Sequence, residues 1–579
     1  MKFFHVYNDK YFKGLVKQGF INKNSGFKIQ HDFPMENSKK FNVFAAKGSN
    51  VYNLIKENNF PFYIDRLTGG TTYHYYKFDT ALLQEYRDML GDWFLGIQLH
   101  ESEGGYLGDL SRMQQKFGDA PWVLEKIIAE YMKKTYTIPD NKVIPQGIAM
   151  GSPADFAGLS FPKTPEEYYD MLKALIARRN KETNNSIFPC SGCNCGPRLM
   201  EEAGANTYLS EIGNQGQFVR PQLALTRGVA KESRKTWGSY YEPWRFDPEK
   251  QQYSAPCFND DKDNEWYLPQ DQHPDDFTSY GEYGGSSRLL QRRIYYHSLM
   301  SGADYISEEW GLNFSFAETT DFTLSPYGTV KKEFIDDALK FGKMKTVVPI
   351  AVVLPTWLKI LMFPGSTMCS EIGHREKGLL GFPAPLFTPE DKERYGRIDD
   401  LVRILYKNRD KVYGNEGHSL TNSRYGDVFD LIYADAPSDV LDSYEYLIDA
   451  DPTSAFTNSS AAKGRRVIES TDFDKLEAIL PSIIKETMPC YVDKLHWIVA
   501  ESQFGKRYLS IFNNEGILRS TDFGDRINHE ADERVKISFS VPANIEIAKA
   551  SCESITLKKL DDGIFEAFIP ATEFLILSY

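Results

Sequence analysis

Residues 94–105 read FLGIQLHESEGG, an apolar run that finishes on a histidine, two glutamates two positions apart and a pair of glycines. A short continuous apolar segment bounded by a loop is the pattern of a strand buried on both faces, as in a parallel sheet. Acids placed where such a strand meets its loop stand at the edge where parallel sheets carry chemistry. The neighbouring sequence decides what Glu101 and Glu103 are for.

The same grammar repeats from residue 27 to about residue 310. The expected strands are GFKIQHDF, FNVFAA, FPFYIDR, FLGIQLHE, SIFPCSG, NTYLSEIG, TWGSYYEPW and ADYISEEWG. Between most of them lie amphipathic stretches such as TALLQEYRDML, PEEYYDMLKALIARRN and SSRLLQRRIYYHSLMSG. Eight strand-then-helix units predict a TIM barrel, a (β/α)8 fold of the α/β class. Helical insertions are expected at about 106–160 and an irregular loop at about 245–283. The strands end on polar residues in turn: His31 and Asp32, Asp65 and Arg66, His100 and Glu101, Cys190, Glu211, Glu242, then Glu308 and Glu309. In a barrel these ends converge on the face that holds the active site.

The barrel is assigned to 1–345. Beyond it, TVVPIAVVLP, GDVFDLIYAD, YEYLIDA and GRRVIES alternate with helical stretches and predict a small flavodoxin-like α/β domain over 346–489. No G-x-G-x-x-G follows its first strand, which disfavours a dinucleotide site. From 490 to 579, short strands separated by turns, among them HWIVAES, RYLSIFNN and EFLILSY, predict a C-terminal β-sandwich.

Composition narrows the partners. Formal charge is -13 without a basic cluster, which argues against nucleic acid or an anionic membrane surface. No run of about 18 apolar residues is present, and the start, MKFFHVYNDKYFKG, lacks the basic end and apolar core of a signal peptide, so a cytoplasmic protein is expected, or a secreted one if a leader has been trimmed. Aromatics make up 14% of the chain and several adjoin acids, as in YYEPWR and SEEWGLNF. Aromatic faces stack on the C–H faces of sugars, although Tyr-rich cores give the same composition. Cys190, Cys193 and Cys195, in FPCSGCNCGP, offer three thiolates at zinc-like spacing with no evident fourth ligand. No metal or cofactor is otherwise expected.

Order and motifs together resemble the family 42 β-galactosidases and related clan A glycoside hydrolases. FLGIQLHESEGG is similar to their fourth strand, which ends on a polar residue followed by the acid/base Glu. KESRKTWGSYYEPW is similar to the seventh strand with its nucleophilic Glu, and SLMSGADYISEEWG to the eighth. His100 stands where that family commonly has Asn. The resemblance implies a retaining, exo-acting glycosidase for a neutral oligosaccharide or glycoconjugate, including a galactoside, with Glu101 as acid/base and Glu242 as nucleophile. It also implies that the middle domain makes subunit contacts in a homo-oligomer, or else walls the active site.

Glycosidic cleavage needs one carboxylic acid to protonate the leaving oxygen and a second carboxylate to attack carbon or activate water. Glu103 is the rival of Glu101. Glu211, Glu308 and Glu309 are alternative nucleophiles or hydroxyl binders, although a persisting pleat lets only one of the adjacent pair face the lumen. Asp65, Arg66, His74, His100, Tyr241 and Trp244 are expected to reach the sugar, with Trp310 as a stacking platform. Two other readings compete: a non-catalytic carbohydrate-binding barrel, and a metal-dependent barrel hydrolase built on the cysteines and histidines. The second has no H-x-H or H-E-x-x-H motif behind it.

Overall fold

A computed structural model describes residues 1–29, 37–65, 78–100, 135–137, 143–145, 164–191, 196–213, 219–242, 245–247, 252–254, 288–309, 315–316, 320–358, 388–406, 420, 422–423, 425–518, 526–540 and 544–579. Of the sequence-derived site residues, Arg66, His74, Glu101, Glu103, Cys193, Cys195, Trp244 and Trp310 lie outside these, as do the expected strand ends His31 and Asp32. His100 and Glu242 are described by backbone alone.

Eight parallel strands close into a barrel: β1 (Lys2–Val6), β2 (Ser25–Ile29), β3 (Phe62–Ile64), β4 (Phe94–His100), β5 (Ile187–Ser191), β6 (Thr207–Gly213), β7 (Thr236–Glu242) and β8 (Tyr305–Glu308). The TIM barrel is therefore present, with two corrections to its first strands. KFFHV, unassigned from sequence, is β1 and closes the barrel by pairing with β2 (Phe3↔Ser25) and with β8 (Phe3↔Ile306). FNVFAA is not a strand: most of it belongs to helix Asn37–Phe44. Phe41 and Ala45, four residues apart, are both fully buried, whereas Val43 and Phe44 are 60% exposed, which is helical and not alternating burial.

The barrel wall divides two cores. Phe4, Tyr63, Leu95, Phe188, Cys190, Leu209, Tyr240 and Tyr305 form a cluster in the lumen. Their strand neighbours, including Phe3, Phe62, Ile64, Ile97, Tyr208, Ile212, Tyr241 and Ile306, join the large outer core under the helices. One glycine resets this alternation. At Gly96 the β3–β4 register shifts, so that Phe62 pairs with Phe94 but Tyr63 with Gly96. Gly96 has φ +103°, and a Cβ there would lie 1.9 Å from the Ser186 carbonyl oxygen. The bulge leaves Leu95 in the lumen and sends Ile97 and Leu99 outward, so Gln98 takes the inner face.

Behind the barrel, strands Phe429–Tyr433, Ile350–Leu354, Tyr446–Asp449 and Val467–Glu469 form, in that order, an all-parallel sheet of flavodoxin-like topology. The chain then builds two antiparallel sheets of five and four strands. Met344–Thr346, which precedes the parallel sheet in sequence, pairs with His496–Ser502 of the five-stranded sheet. Helix Val219–Ser233 of the barrel is buried on nearly every side because strand Phe429–Tyr433 packs on its outer face. Gly228 permits the approach, since a Cβ there would stand 1.9 Å from the Leu431 carbonyl oxygen. The polar residues of this helix bond across the joint: Arg220 to Asp427 and Arg227 to Asp430, each at 2.6 Å. Among the described residues, no helix is long and apolar enough to cross a membrane.

Candidate active site

Strand pleating brings Lys28, Asp65, Gln98, Glu211 and Tyr240 to the inner side of the wall, above the aromatic layer of Phe4, Tyr63 and Tyr305. Lys28 and Asp65 form an ion pair at 2.7 Å with both side chains fully buried. Lys28 Nζ also donates to the Glu308 carbonyl oxygen at 2.6 Å and sits 4.7 Å from the centre of the Tyr240 ring. The Tyr240 hydroxyl donates to Asp65 Oδ2 at 3.1 Å. One layer down, the Tyr63 hydroxyl and Ser307 Oγ are 2.7 Å apart. Burial, then the charge of Asp65, pushes the Tyr63 phenol well above its ordinary range. The arrangement ties β2, β3, β7 and the end of β8 together at the level where the rim begins.

Glu211 is 2% exposed on β6, two residues beyond lumen-facing Leu209, and Gln222 Nε2 donates to its carbonyl oxygen at 2.7 Å. The two acids closing β8 part company. Ser307 faces the lumen, so Glu308 points through the wall, where Lys331 of helix Pro326–Phe341 meets it at 2.6 Å. Burial raises the Glu308 carboxyl, against the pull of Lys331. Glu309 follows at 4% exposure, its N–H donating to the Tyr241 carbonyl oxygen at 2.9 Å. Glu308 is thus a structural acid behind the barrel and not a rim residue.

Two further sequence-derived expectations change. Asp65, expected to contact substrate, is wholly buried and bonded to Lys28 and Tyr240. Tyr241, expected at the opening, is in the outer core, edge-on to Tyr295 with ring centres 5.7 Å apart; its neighbour Tyr240 has the inner position. For the candidate pair the backbone gives two facts. His100, which precedes Glu101, ends β4 opposite Cys190, and Glu242 ends β7 opposite Gly213. In barrel order β5 and β6 separate these strands.

Sequence reasoning missed Lys28, Gln98 and Tyr240. A lysine inside the apolar run GFKI was a usable signal, because a buried ammonium requires a counter-charge. Gln98 was concealed by the bulge.

Cys190 is fully buried among the lumen aromatics. Among the described residues, His297, Asp427 and His496 are the group whose potential ligand atoms converge, within 4.8 Å. They lie at the joint between the barrel and the two later sheets, not at the barrel opening. Asp427 Oδ2 faces His297 Nε2 at 2.8 Å and His496 Nε2 at 3.0 Å, while Arg220 Nε donates to Oδ1 at 2.6 Å. Burial opposes ionisation of Asp427, but Arg220, followed by His496, holds the carboxyl well below its ordinary value. Burial also pushes His496 down to about 3. A neutral His496 imidazole, the His297 ring and the Arg220 guanidinium thus surround one carboxylate. A divalent cation there would add buried positive charge beside Arg220, so the set fits a hydrogen-bonded lock better than a metal centre.

No family model and no curated protein matches this chain. Its fold is similar to α-L-fucosidase isoenzyme 2 from Paenibacillus thiaminolyticus, at TM-score 0.44 and 9% identity, covering 99% of this chain and 96% of that one. The catalytic module of a family 98 glycoside hydrolase from Streptococcus pneumoniae matches at TM-score 0.35 and 8% identity, over 100% and 98% of the two chains. An exo-β-1,4-mannosidase from Opitutaceae bacterium strain TAV5 matches at TM-score 0.36 and 10% identity, over 97% and 90%. The family 42 resemblance rests on the order of the three parts and the sequence motifs.

Proposed function

We propose that the chain is a retaining glycoside hydrolase acting from the end of a neutral oligosaccharide or glycoconjugate, with Glu101 as acid/base and Glu242 as nucleophile. The observation that carries this reading is the polar lumen. Gln98, Glu211 and Tyr240 come from separate strands to the carboxyl-terminal half of a closed barrel, beneath the rim where β4 and β7 end. That is the face on which barrel enzymes assemble their sites.

In this mechanism Glu242 attacks the anomeric carbon while Glu101 protonates the departing oxygen. Glu101 then deprotonates the water that releases the sugar from Glu242. Retention calls for carboxyls about 5–5.5 Å apart. Tyr240, two residues before Glu242, is fixed by Asp65 and Lys28, so the buried ion pair stiffens the strand that presents the nucleophile. Glu211 and Glu309 flank that strand on β6 and just after β8, positions suited to sugar hydroxyls.

The test is hydrolysis of a panel of α- and β-nitrophenyl glycosides by wild type, Glu101→Gln and Glu242→Ala. Activity on one sugar that both variants lose by about 1000-fold is expected for loss of an essential group. Full activity of Glu242→Ala would overturn the nucleophile assignment and turn attention to Glu211 and Glu309. Silence across the panel, with sugar binding retained, would favour a non-catalytic barrel.

A further inference from the structure

We propose that a groove on the outer flank of the barrel is a second binding site for a neutral glycan chain; this rests on the glycosidase reading for its biological sense but not for its chemistry. The groove has a volume of about 750 Å³, within the range of small-molecule sites. It runs between helices Asp9–Lys17 and Asn50–Asn58. Its floor is aromatic. Tyr7 and Phe12 have ring centres 5.6 Å apart and back onto Phe27, which belongs to the outer core, so the groove lies outside the barrel wall.

Unlike the fully buried rings of the core, Tyr7, Phe12 and Phe322 are only half-buried. Phe322 is moreover held at φ +60°, a left-handed conformation that is costly for a bulky residue. Gln18 Nε2 bonds its carbonyl oxygen at 2.8 Å, and its ring lies against Gly14, where a Cβ would come within 2.4 Å of it. A strained aromatic wall set over a glycine is a shaped surface. The polar edges suit hydroxyls: Asn50 and Asn53 project exposed amides, and Asp9 already accepts from Tyr7 Oη at 2.7 Å and Asn50 Nδ2 at 3.2 Å. Asp9 and Glu57 are balanced by Lys10 and Lys13, so the groove carries no net charge and favours a neutral ligand. Aromatic faces with amides and balanced charges are the chemistry of pyranose recognition.

The experiment is affinity electrophoresis of the full chain through gels containing galactan, mannan, xylan or dextran, beside nitrophenyl glycoside hydrolysis. Wild type and Glu242→Gln are expected to be retarded alike by at least one polysaccharide. Asn50→Ala/Asn53→Ala, and separately Phe322→Gly, which removes the ring while relieving the positive φ, are expected to weaken retardation at least five-fold with hydrolysis unchanged. Retardation by none of the four polymers, equal retardation of both groove variants and wild type, or its loss in Glu242→Gln would overturn the proposal. Retardation that depends on the groove, in a protein hydrolysing no glycoside, would leave the groove standing and remove the enzyme reading.

Discussion

Arg220 on a barrel helix donates to Asp427 Oδ1 at 2.6 Å, and both side chains are nearly inaccessible. The same carboxylate takes His297 from the barrel and His496 from the five-stranded sheet, so one residue links three parts of the chain. Asp427→Ala leaves a buried guanidinium uncompensated, which costs about 3–5 kcal/mol. Denaturation monitored by tryptophan fluorescence should show that loss. A change below about 1 kcal/mol, the scale of an exposed pair, would mean that the joint does not depend on the lock.

His496 adds a pH dependence to this joint. Its native value, about 3, lies below its ordinary 6.5, so the unfolded chain binds the extra proton first. The stability tied to neutral His496 is therefore complete above 6.5 and is lost as pH falls from there towards 3. Thermal midpoints measured from pH 7 to 4 should fall for wild type and fall less steeply for His496→Gln. Parallel curves would mean that His496 does not drive the acid limb.

Glu232 has the opposite sign. Burial pushes its carboxyl up to about 8, opposed by the Tyr433 N–H at 2.6 Å and by Arg198. A group raised from 4.5 to about 8 favours the folded chain when protonated, and that contribution fades as pH rises through this window. Glu232→Gln keeps an acceptor for Tyr433 and cannot ionise, so its advantage over wild type in melting temperature should grow between pH 6 and 9. An advantage that shrinks over that range would contradict the assignment.

The lumen pair invites a double-mutant cycle. Lys28→Met strands Asp65, and Asp65→Leu strands Lys28, each at a cost of about 3–5 kcal/mol, whereas the double variant should lose much less. If Tyr240 is held through Asp65, hydrolysis should fall in Asp65→Leu at a temperature where the protein remains folded, with kcat affected more than KM. Additive losses in stability would mean that the two charges do not act as a pair.

The fold was legible where residues obey one period over a long stretch. The alternating barrel units, the parallel-sheet strand VVPIAVVLP and the C-terminal strands all declare themselves. KFFHV escaped because five residues are too few to establish a period, even though Asn8 and Asp9 follow it as a helix-cap signal, and FNVFAA misled because its apolar residues are dense enough to fit either period. At the site, sequence could nominate acids at strand ends but not their direction. Glu308 and Glu309 differ only by pleat, and Asp65 differs from a rim acid only through Lys28, 37 residues earlier in the chain. Such pairings are tertiary facts that local pattern does not encode.

Gly96 is where local sequence and site geometry meet most directly. Its φ of +103° and the 1.9 Å from a would-be Cβ to the Ser186 carbonyl oxygen both exclude a side chain. Gly96→Ala must either move β4 away from β5 or remove the bulge. Overpacking of this kind costs about 1–3 kcal/mol or more. Removing the bulge would also exchange the inner and outer faces of β4 beyond residue 96, placing Ile97 where Gln98 belongs and re-aiming the chain that leads into Glu101. The expected result is a folded but destabilised barrel whose activity falls well beyond its loss of stability, read by comparing thermal midpoint with kcat/KM at 20 °C below it. Activity equal to wild type in the folded fraction would show that the β4 bulge does not position the acid that follows it.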